Sequence, residues 1–260
     1  MTEETDAAPA GEFVQSLARG LAVIRAFDGE HPELSLSDVA RRAELTRAAA
    51  RRFLHTLTSL GYVRTDGRLF ALTPRVLELG FSYLSSLSLP EIAQPHLERL
   101  SHEVGESVSA AVLDGTDIVY IARVPTRRIM SVRIMIGTRF PAYATSMGRV
   151  LLAGLPDEER DAVLAASARV HLTDRTLTEP AALRAELDRV RAQGWAAVDG
   201  ELEQGLRSLA APIRGRGGSV IAAVNVSTAA TVEPVSALVD RFLPRLLETT
   251  ARIELEARLV

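Results

Sequence analysis

The sequence predicts an α+β protein in two parts: a small winged helix-turn-helix module in front and a larger antiparallel sheet covered by helices behind. Three observations predict it. Apolar residues repeat at helical spacing as far as about residue 60, and the pattern then switches to alternation around an Asp66-Gly67 dipeptide. A proline-bounded stretch, PRVLELGFSYLSSLSLP, separates the two parts. From Glu106 onward, short alternating runs joined by tight turns are interleaved with amphipathic helices.

At 260 residues, 47% of them apolar, the chain can bury one large core, or a small core and a larger one. The absence of cysteine excludes a disulfide framework, thiolate catalysis and thiolate metal sites. The opening MTEETDAAPAGE is acidic and small, without the basic start and apolar run of a secretory signal, so residues 1–12 are expected to be a disordered tail. No later apolar run reaches membrane-spanning length, and a cytoplasmic protein is expected. The formal charge is -3, yet Arg41, Arg42, Arg47, Arg51, Arg52, Arg64 and Arg68 face only Glu44 and Asp66 in the same stretch. That local excess of positive charge is what a polyanion responds to.

In the front module, SLARGLAVIRAF places Leu17, Leu21, Ile24 and Phe27 on one side of a first helix, which Asp28, Gly29 and Pro32 end. Ser37 is the expected cap of a short helix through Arg42, and Thr46 the cap of a longer one to about Leu60. On the longer helix Ala49, Phe53, Leu57 and Leu60 are expected to face inward, flanked by Ala50 and Leu54. Arg47, Ala48, Arg51, Arg52 and His55 remain on the other side. Small residues beside arginines allow a helix to approach base edges in the major groove. YVRTDGRLFALT then reads as a hairpin, which completes the order of a winged DNA-binding domain. The expected contacts to double-stranded operator DNA are Ser37, Thr46, Arg47, Ala48, Arg51 and Arg52, with Arg19 and Arg68 on the backbone.

SLARGLAVIRAF, LSLSDVARRAELTRAAARRFLHTLTSLGYV, PAYATSMGRVLLAGL and GLRSLAAPIRG together resemble the IclR family of bacterial transcriptional regulators, from about Phe13 to the C-terminus. One departure is Glu44, in a turn position that the family usually gives to glycine. The resemblance implies a DNA-binding domain at 13–74, a linker helix at 75–90 and an effector-binding domain at 91–260 with a GAF- or profilin-like sheet. It also implies pairing of subunits, as a homodimer or a dimer of dimers.

Within the rear part, Pro90 is expected to close the linker helix. PEIAQPHLERLSHEV then forms a helix with Ile92, Leu97, Leu100 and Val104 inward and Pro95 as a break. Strands are expected at SVSAAVLDG, DIVYIARV, IMSVRIMIGT, WAAVDG, LRSLAAPIRG and SVIAAVNVS. Helices are expected around Met147–Leu155, Asp157–Ala166 and Pro180–Gln193, and from about Pro234 to the end.

ATSMG differs by one residue from the GxSxG elbow of serine hydrolases and stands between a strand and a helix, so Ser146 is a candidate nucleophile. A nucleophilic serine needs a histidine oriented by an acid. His171 is the only histidine after Ser146, and the intervening acids belong to a PDEER helix start, where dipole reasons suffice. The same turn offers the amides of Ser146, Met147 and Gly148 to an anion without covalent chemistry. Three readings result: a ligand-responsive regulator, a hydrolase, and a DNA binder whose second domain only oligomerises. The resemblance favours the first, with no enzymatic activity.

By that resemblance the pocket is lined at Ser146, Met147, Asp199, Ser208, Asn225 and Ser227; a family preference for paired acids leaves Val198 and Asp199 as alternatives. Asn225 and Ser227, two apart on a strand, point to one face. Arg133 and Arg139 are candidates for a carboxylate, with a surface salt bridge the plainer role for Arg139. Tyr143 is a candidate for an aromatic ring. RIMSVRIMIGTRFPAYATSMGRVLLA is similar to the branch of the family that controls breakdown of protocatechuate, 4-hydroxybenzoate and related compounds by the β-ketoadipate route, so a small aromatic or dicarboxylic acid is the implied effector.

No cofactor or metal is expected. His96 and His102 are six apart, HEVGE lacks a second histidine, and RGRGG leads into a strand rather than a helix start. Trp195 is expected in the core.

Overall fold

The computed structural model describes residues 13–79, 89–126, 134–230 and 234–257. The chain divides into two compact units, with the boundary between Ser85 and Ser86.

In the first unit, α1 (Gln15–Arg25) is followed by β1 (Glu33–Ser35), α2 (Leu36–Arg42), α3 (Arg47–Ser59), β2 (Val63–Thr65) and β3 (Leu69–Leu72). The small sheet has the order β1-β3-β2, both pairings antiparallel. Strand β1 was not expected: three residues beside Pro32 are too short to show a period. The cap of α2 is Ser35 rather than Ser37; its hydroxyl accepts from the Asp38 amide and donates to the Asp38 carboxylate. That hydroxyl is the main reason the Asp38 carboxyl titrates below its ordinary value. Ser37 is exposed, one residue inside the helix.

Thr46 caps α3 as expected, accepting from the Ala49 amide at 3.2 Å. The buried stripe of α3 is Ala50, Leu54 and Leu57, rotated from the expected one, and Leu60 is 52% exposed. The expected inward face of α1 is met only in its second half: Phe27 is buried and Ile24 packs against the same core, whereas Leu17 and Leu21 are 63% and 44% exposed and Val23 is the one buried residue within the helix. Helical spacing identifies an apolar face but not what covers it.

Glu44, in the turn between α2 and α3, has φ +54° and is the only non-glycine residue with positive φ among those described. Its Cβ meets backbone there at a cost of about 1 kcal/mol. Glu44→Gly is therefore expected to raise the thermal midpoint of the front unit by roughly that stability; a lowered midpoint would show that the Glu44 side chain contributes more than its backbone strain costs.

The second unit opens with α4 (Leu89–Val104), which runs through both prolines. Pro90 lies in the first turn, where no intrahelical N–H is needed, and Pro95 sacrifices one interior bond. Most of the expected linker helix, residues 80–88, lies outside the described residues; before it, Pro74–Val76 forms a 3-10 turn. Strands β4 (Ser107–Asp114), β5 (Asp117–Val124), β6 (Arg139–Pro141), β7 (Ala196–Asp199), β8 (Leu206–Arg214) and β9 (Val220–Ala229) form one antiparallel sheet in the order β6-β5-β4-β9-β8-β7. The strand expected over 129–138 is not found in its described part: residues 134–138 turn at Gly137, φ +86°, and pairing begins at Arg139.

Helices α5 (Ser146–Ala153), α6 (Asp157–Ala166) and α7 (Pro180–Gln193) lie between β6 and β7, and α8 (Val235–Ala257) follows β9. Each face of the sheet has its own core. Val108, Leu209, Val224 and Val226 pack with Leu97 and Leu100 of α4 and Phe242 and Leu246 of α8. On the opposite face Ala111, Ala210 and Ala223 pack with Met147 and Leu151 of α5 and Leu183 and Leu187 of α7. The central β9 pairs with strands on both sides and is buried at seven consecutive positions, from Ala222 to Thr228, which explains its run of alanines and valines.

Candidate functional site

Two surfaces carry the chemistry, one in each unit. In the first, the arginines sort by partner. Arg41 is paired with Asp38, Arg42 with Asp28, Arg64 with Glu33 and Arg75 with Glu78. Arg19, Arg47, Arg51, Arg52 and Arg68 are exposed, and none has an ion-pair partner among the described residues. Arg47, Ala48, Arg51 and Arg52 share the solvent side of α3, and Arg19 and Arg52 line a groove of about 430 Å³ between α1 and α3. In the β2–β3 hairpin, Asp66 accepts from the amides of Arg68 and Leu69, which holds its carboxyl below the ordinary range and sets the turn that presents Arg68. The free cations thus lie on α1, on the exposed side of the second helix of a helix-turn-helix, and on the wing. That is the charge distribution for gripping duplex DNA.

The second surface is the sheet face that carries α5. Register places Ser107 opposite Ser227, and Ser227 opposite Ser208; the next row joins Ser109 to Asn225. All five side chains are buried. Asn225 Nδ2 donates to Ser227 Oγ at 2.9 Å, while Asn225 Oδ1 has no hydrogen-bond partner among the described residues. The Ser146 hydroxyl, at the N-terminus of α5, is 1% exposed at the residue level and equally unpartnered. Leaving a buried polar atom unpaired costs about 1–3 kcal/mol, so two on facing elements mark a place where a ligand or water completes the bonding.

Local sequence explains how α5 is held. Thr145 caps it by accepting from the Gly148 amide at 3.1 Å, so that amide is already used and only those of Ser146 and Met147 remain from the expected anion site. Gly148 has no side chain because a Cβ there would stand 2.1 Å from the Ala142 carbonyl oxygen. Arg149, 2% exposed, ties α5 to Glu201 and donates through Nε to the Tyr143 carbonyl at 3.1 Å. Tyr143 is buried, and its hydroxyl bonds the Val170 amide and carbonyl, which ties that loop to the site. His171 bonds Thr178, and among the described residues no general base is hydrogen-bonded to the Ser146 hydroxyl.

Asp199 is placed elsewhere. Ser208 pairs with Val198, so Val198 shares the polar face, and Asp199 points to the other side. There it is bound by Arg207 and Arg175, with Arg207 the main cause of a carboxyl held below its ordinary value. The stability from these bonds is present above the ordinary carboxylate pKa and lost as pH falls through the depressed one. Asp199 and Trp195 border a separate cavity of about 520 Å³. Arg139 is engaged by Asp114 and Asp117, the surface role anticipated for it, and Arg133 lies outside the described residues. Ser107, Ser109 and Arg123 belong to the polar face and were missed. Ser107 and Ser109 repeat the two-residue spacing of Asn225 and Ser227, which is the signal that could have found them.

A helix-turn-helix module joined to a sheet domain with an internal polar site defines a one-component transcriptional regulator: one chain binds DNA and carries the site for a small molecule. Residues 16–67 match the IclR helix-turn-helix domain and residues 81–254 match the bacterial transcriptional regulator IclR C-terminal domain, and the chain belongs to the IclR family. It is 50% identical to the Pca regulon regulatory protein of Pseudomonas putida over 91% of this chain and 81% of that one. A solved structure from Rhodococcus sp. RHA1 is 60% identical with TM-score 0.85, covering 94% of this chain and 98% of its own. An IclR homolog from Microbacterium hydrocarbonoxydans, complexed with 4-hydroxybenzoate, is 28% identical with TM-score 0.84, covering 95% of this chain and 100% of its own. These relatives are regulators, and the elbow-like ATSMG serves no hydrolase. No helix among the described residues is long and apolar enough to cross a membrane.

Proposed function

We propose that this regulator senses a small aromatic or dicarboxylic acid and controls genes for its breakdown by the β-ketoadipate route. The observation that carries the reading is the pair of buried, unpartnered polar atoms, Ser146 Oγ and Asn225 Oδ1, on the face shared by Ser208 and Ser227. The 4-hydroxybenzoate complex of the Microbacterium relative and the Pca regulon relative supply the chemical class. Arg47, Ala48, Arg51, Arg52 and Thr46 contact operator DNA, Arg19 and Arg68 its backbone, and Ser37 lies on the helix beside them. The division is a DNA-binding domain at 13–74, a linker at 75–90 and an effector domain at 91–260. The protein works in the cytoplasm as a homodimer or a dimer of dimers on a palindromic site. Effector binding must favour one arrangement of the DNA-binding domains over another to change operator affinity.

Gel shifts with the DNA flanking its own gene test this, with 4-hydroxybenzoate, protocatechuate or β-ketoadipate added. At least one acid is expected to change operator affinity; a shift that none of them alters leaves a second domain that only oligomerises. Ser146→Ala deletes the hydroxyl without adding volume. It is expected to weaken the effective acid about tenfold in calorimetry, with operator binding unchanged; equal affinity removes Ser146 from the site.

A further inference from the structure

Arg123 stands out among the buried arginines. Arg149 and Arg160, both nearly inaccessible, are each surrounded by carboxylates. Arg123, half-buried on β5, has no ion-pair partner among the described residues, and its one hydrogen bond is from Nη1 to the Ser109 hydroxyl at 3.3 Å. Burial pulls its pKa down; the Tyr120 phenol acts weakly against that, and no carboxylate among the described residues does. Charged groups withdrawn from water are ordinarily paired.

Its position gives the missing partner an address. Register sets Arg123 opposite Ser109 and Ser109 opposite Asn225, so the three side chains form one row across β5, β4 and β9. The row has a cation at one end and a bare acceptor, Asn225 Oδ1, at the other. An acceptor repels a carboxylate and attracts a hydroxyl.

We infer that Arg123 supplies the counter-charge for the effector's carboxylate, with the proton-donating end of the same molecule turned toward Asn225. The assignment rests on the proposed function, in which this face holds an acid. Ser109 steers the guanidinium toward the row. A hydroxylated carboxylic acid, ionised at neutral pH, matches both ends at once. A charge-assisted bond from arginine is stronger than a neutral one, so acid and amide forms of one ligand are distinguished.

The test uses the full-length protein and calorimetry with 4-hydroxybenzoate, its neutral amide 4-hydroxybenzamide, protocatechuate and β-ketoadipate. Wild type is expected to bind an acid, and to prefer 4-hydroxybenzoate over the amide by at least about tenfold. Arg123→Gln is expected to erase that preference by weakening the acid alone, and Arg123→Lys to retain part of it. Because Arg123→Gln removes a half-buried cation without a partner, its ligand-free thermal midpoint is expected to equal or exceed that of wild type; operator binding of both variants serves as the check on folding. A purely structural arginine would lower the midpoint and leave the acid preference intact, and that result overturns the assignment. Wild type that binds an acid as tightly as Arg123→Gln does overturns it too, leaving the proposed function standing. Wild type that binds none of the acids overturns both.

Discussion

Replacing Arg47 and Arg51 together by alanine is expected to lower operator affinity about a hundredfold or more and to flatten its salt dependence. Both side chains are exposed on α3, both are free of acids among the described residues, and Ala48 between them lets the helix approach closely. An arginine on a guanine edge is worth about 1–3 kcal/mol, so two that read bases account for the loss. Each one that meets phosphate releases a counterion instead, and the slope of log affinity against log salt falls by about 0.9. Fluorescence anisotropy on one operator at several salt concentrations separates the two roles. Arg41→Ala is the control: Arg41 is equally exposed but paired with Asp38, and less than a threefold change is expected from so screened a charge. A double variant that binds within twofold of wild type at every salt concentration takes α3 out of the groove.

Much of the front unit is legible because its signals are local. The Thr46 cap, the Asp66-Gly67 turn and the arginine side of α3 depend on residues within a few positions of one another, and Glu44 adopts the backbone conformation that its place in the turn demands. What covers an apolar face is not local. Leu17 and Leu21 have helical spacing and remain exposed in this unit, and the buried stripe of α3 is set by α1 and β2 packing rather than by its own period. Ser35 took the cap from Ser37 because β1 ends at Ser35, and a three-residue strand leaves no pattern to read.

In the rear unit, strand spacing put Asn225 and Ser227 on one face, as the register has it. The same rule separates Asp199 from Ser208, but only once the pairing of β7 with β8 is known, since a shift of one residue reverses every side chain. Arg123 is illegible for a related reason. Its strand alternates normally; what sets it apart is that no acid among the described residues pairs with it, and that depends on three strands in register.

Arg149→Met is expected to destabilise the rear unit by about 3–5 kcal/mol, the usual cost of breaking a buried pair from one side. Arg149 is 2% exposed, and the partners it would abandon, Glu201 and Glu186, have side chains only 12% and 16% exposed. Glu201 also accepts from the Leu177 amide, so its carboxylate cannot turn out to water without releasing the loop before α7. Methionine fills much of the same volume but offers neither the charge nor the Nε bond to the Tyr143 carbonyl. Since Arg149 sits three residues beyond Ser146, looser anchoring of α5 also blurs the placement of the Ser146 and Met147 amides, and effector affinity is expected to fall with stability. Urea unfolding followed by circular dichroism measures the first effect and calorimetry the second. Adding Glu201→Gln to Arg149→Met is expected to recover part of the stability by removing the stranded charge. A single variant within 1 kcal/mol of wild type, marking roughly the limit for an exposed pair, would show that water reaches this pair, and α5 would then owe its position to Gly148 and the Thr145 cap instead.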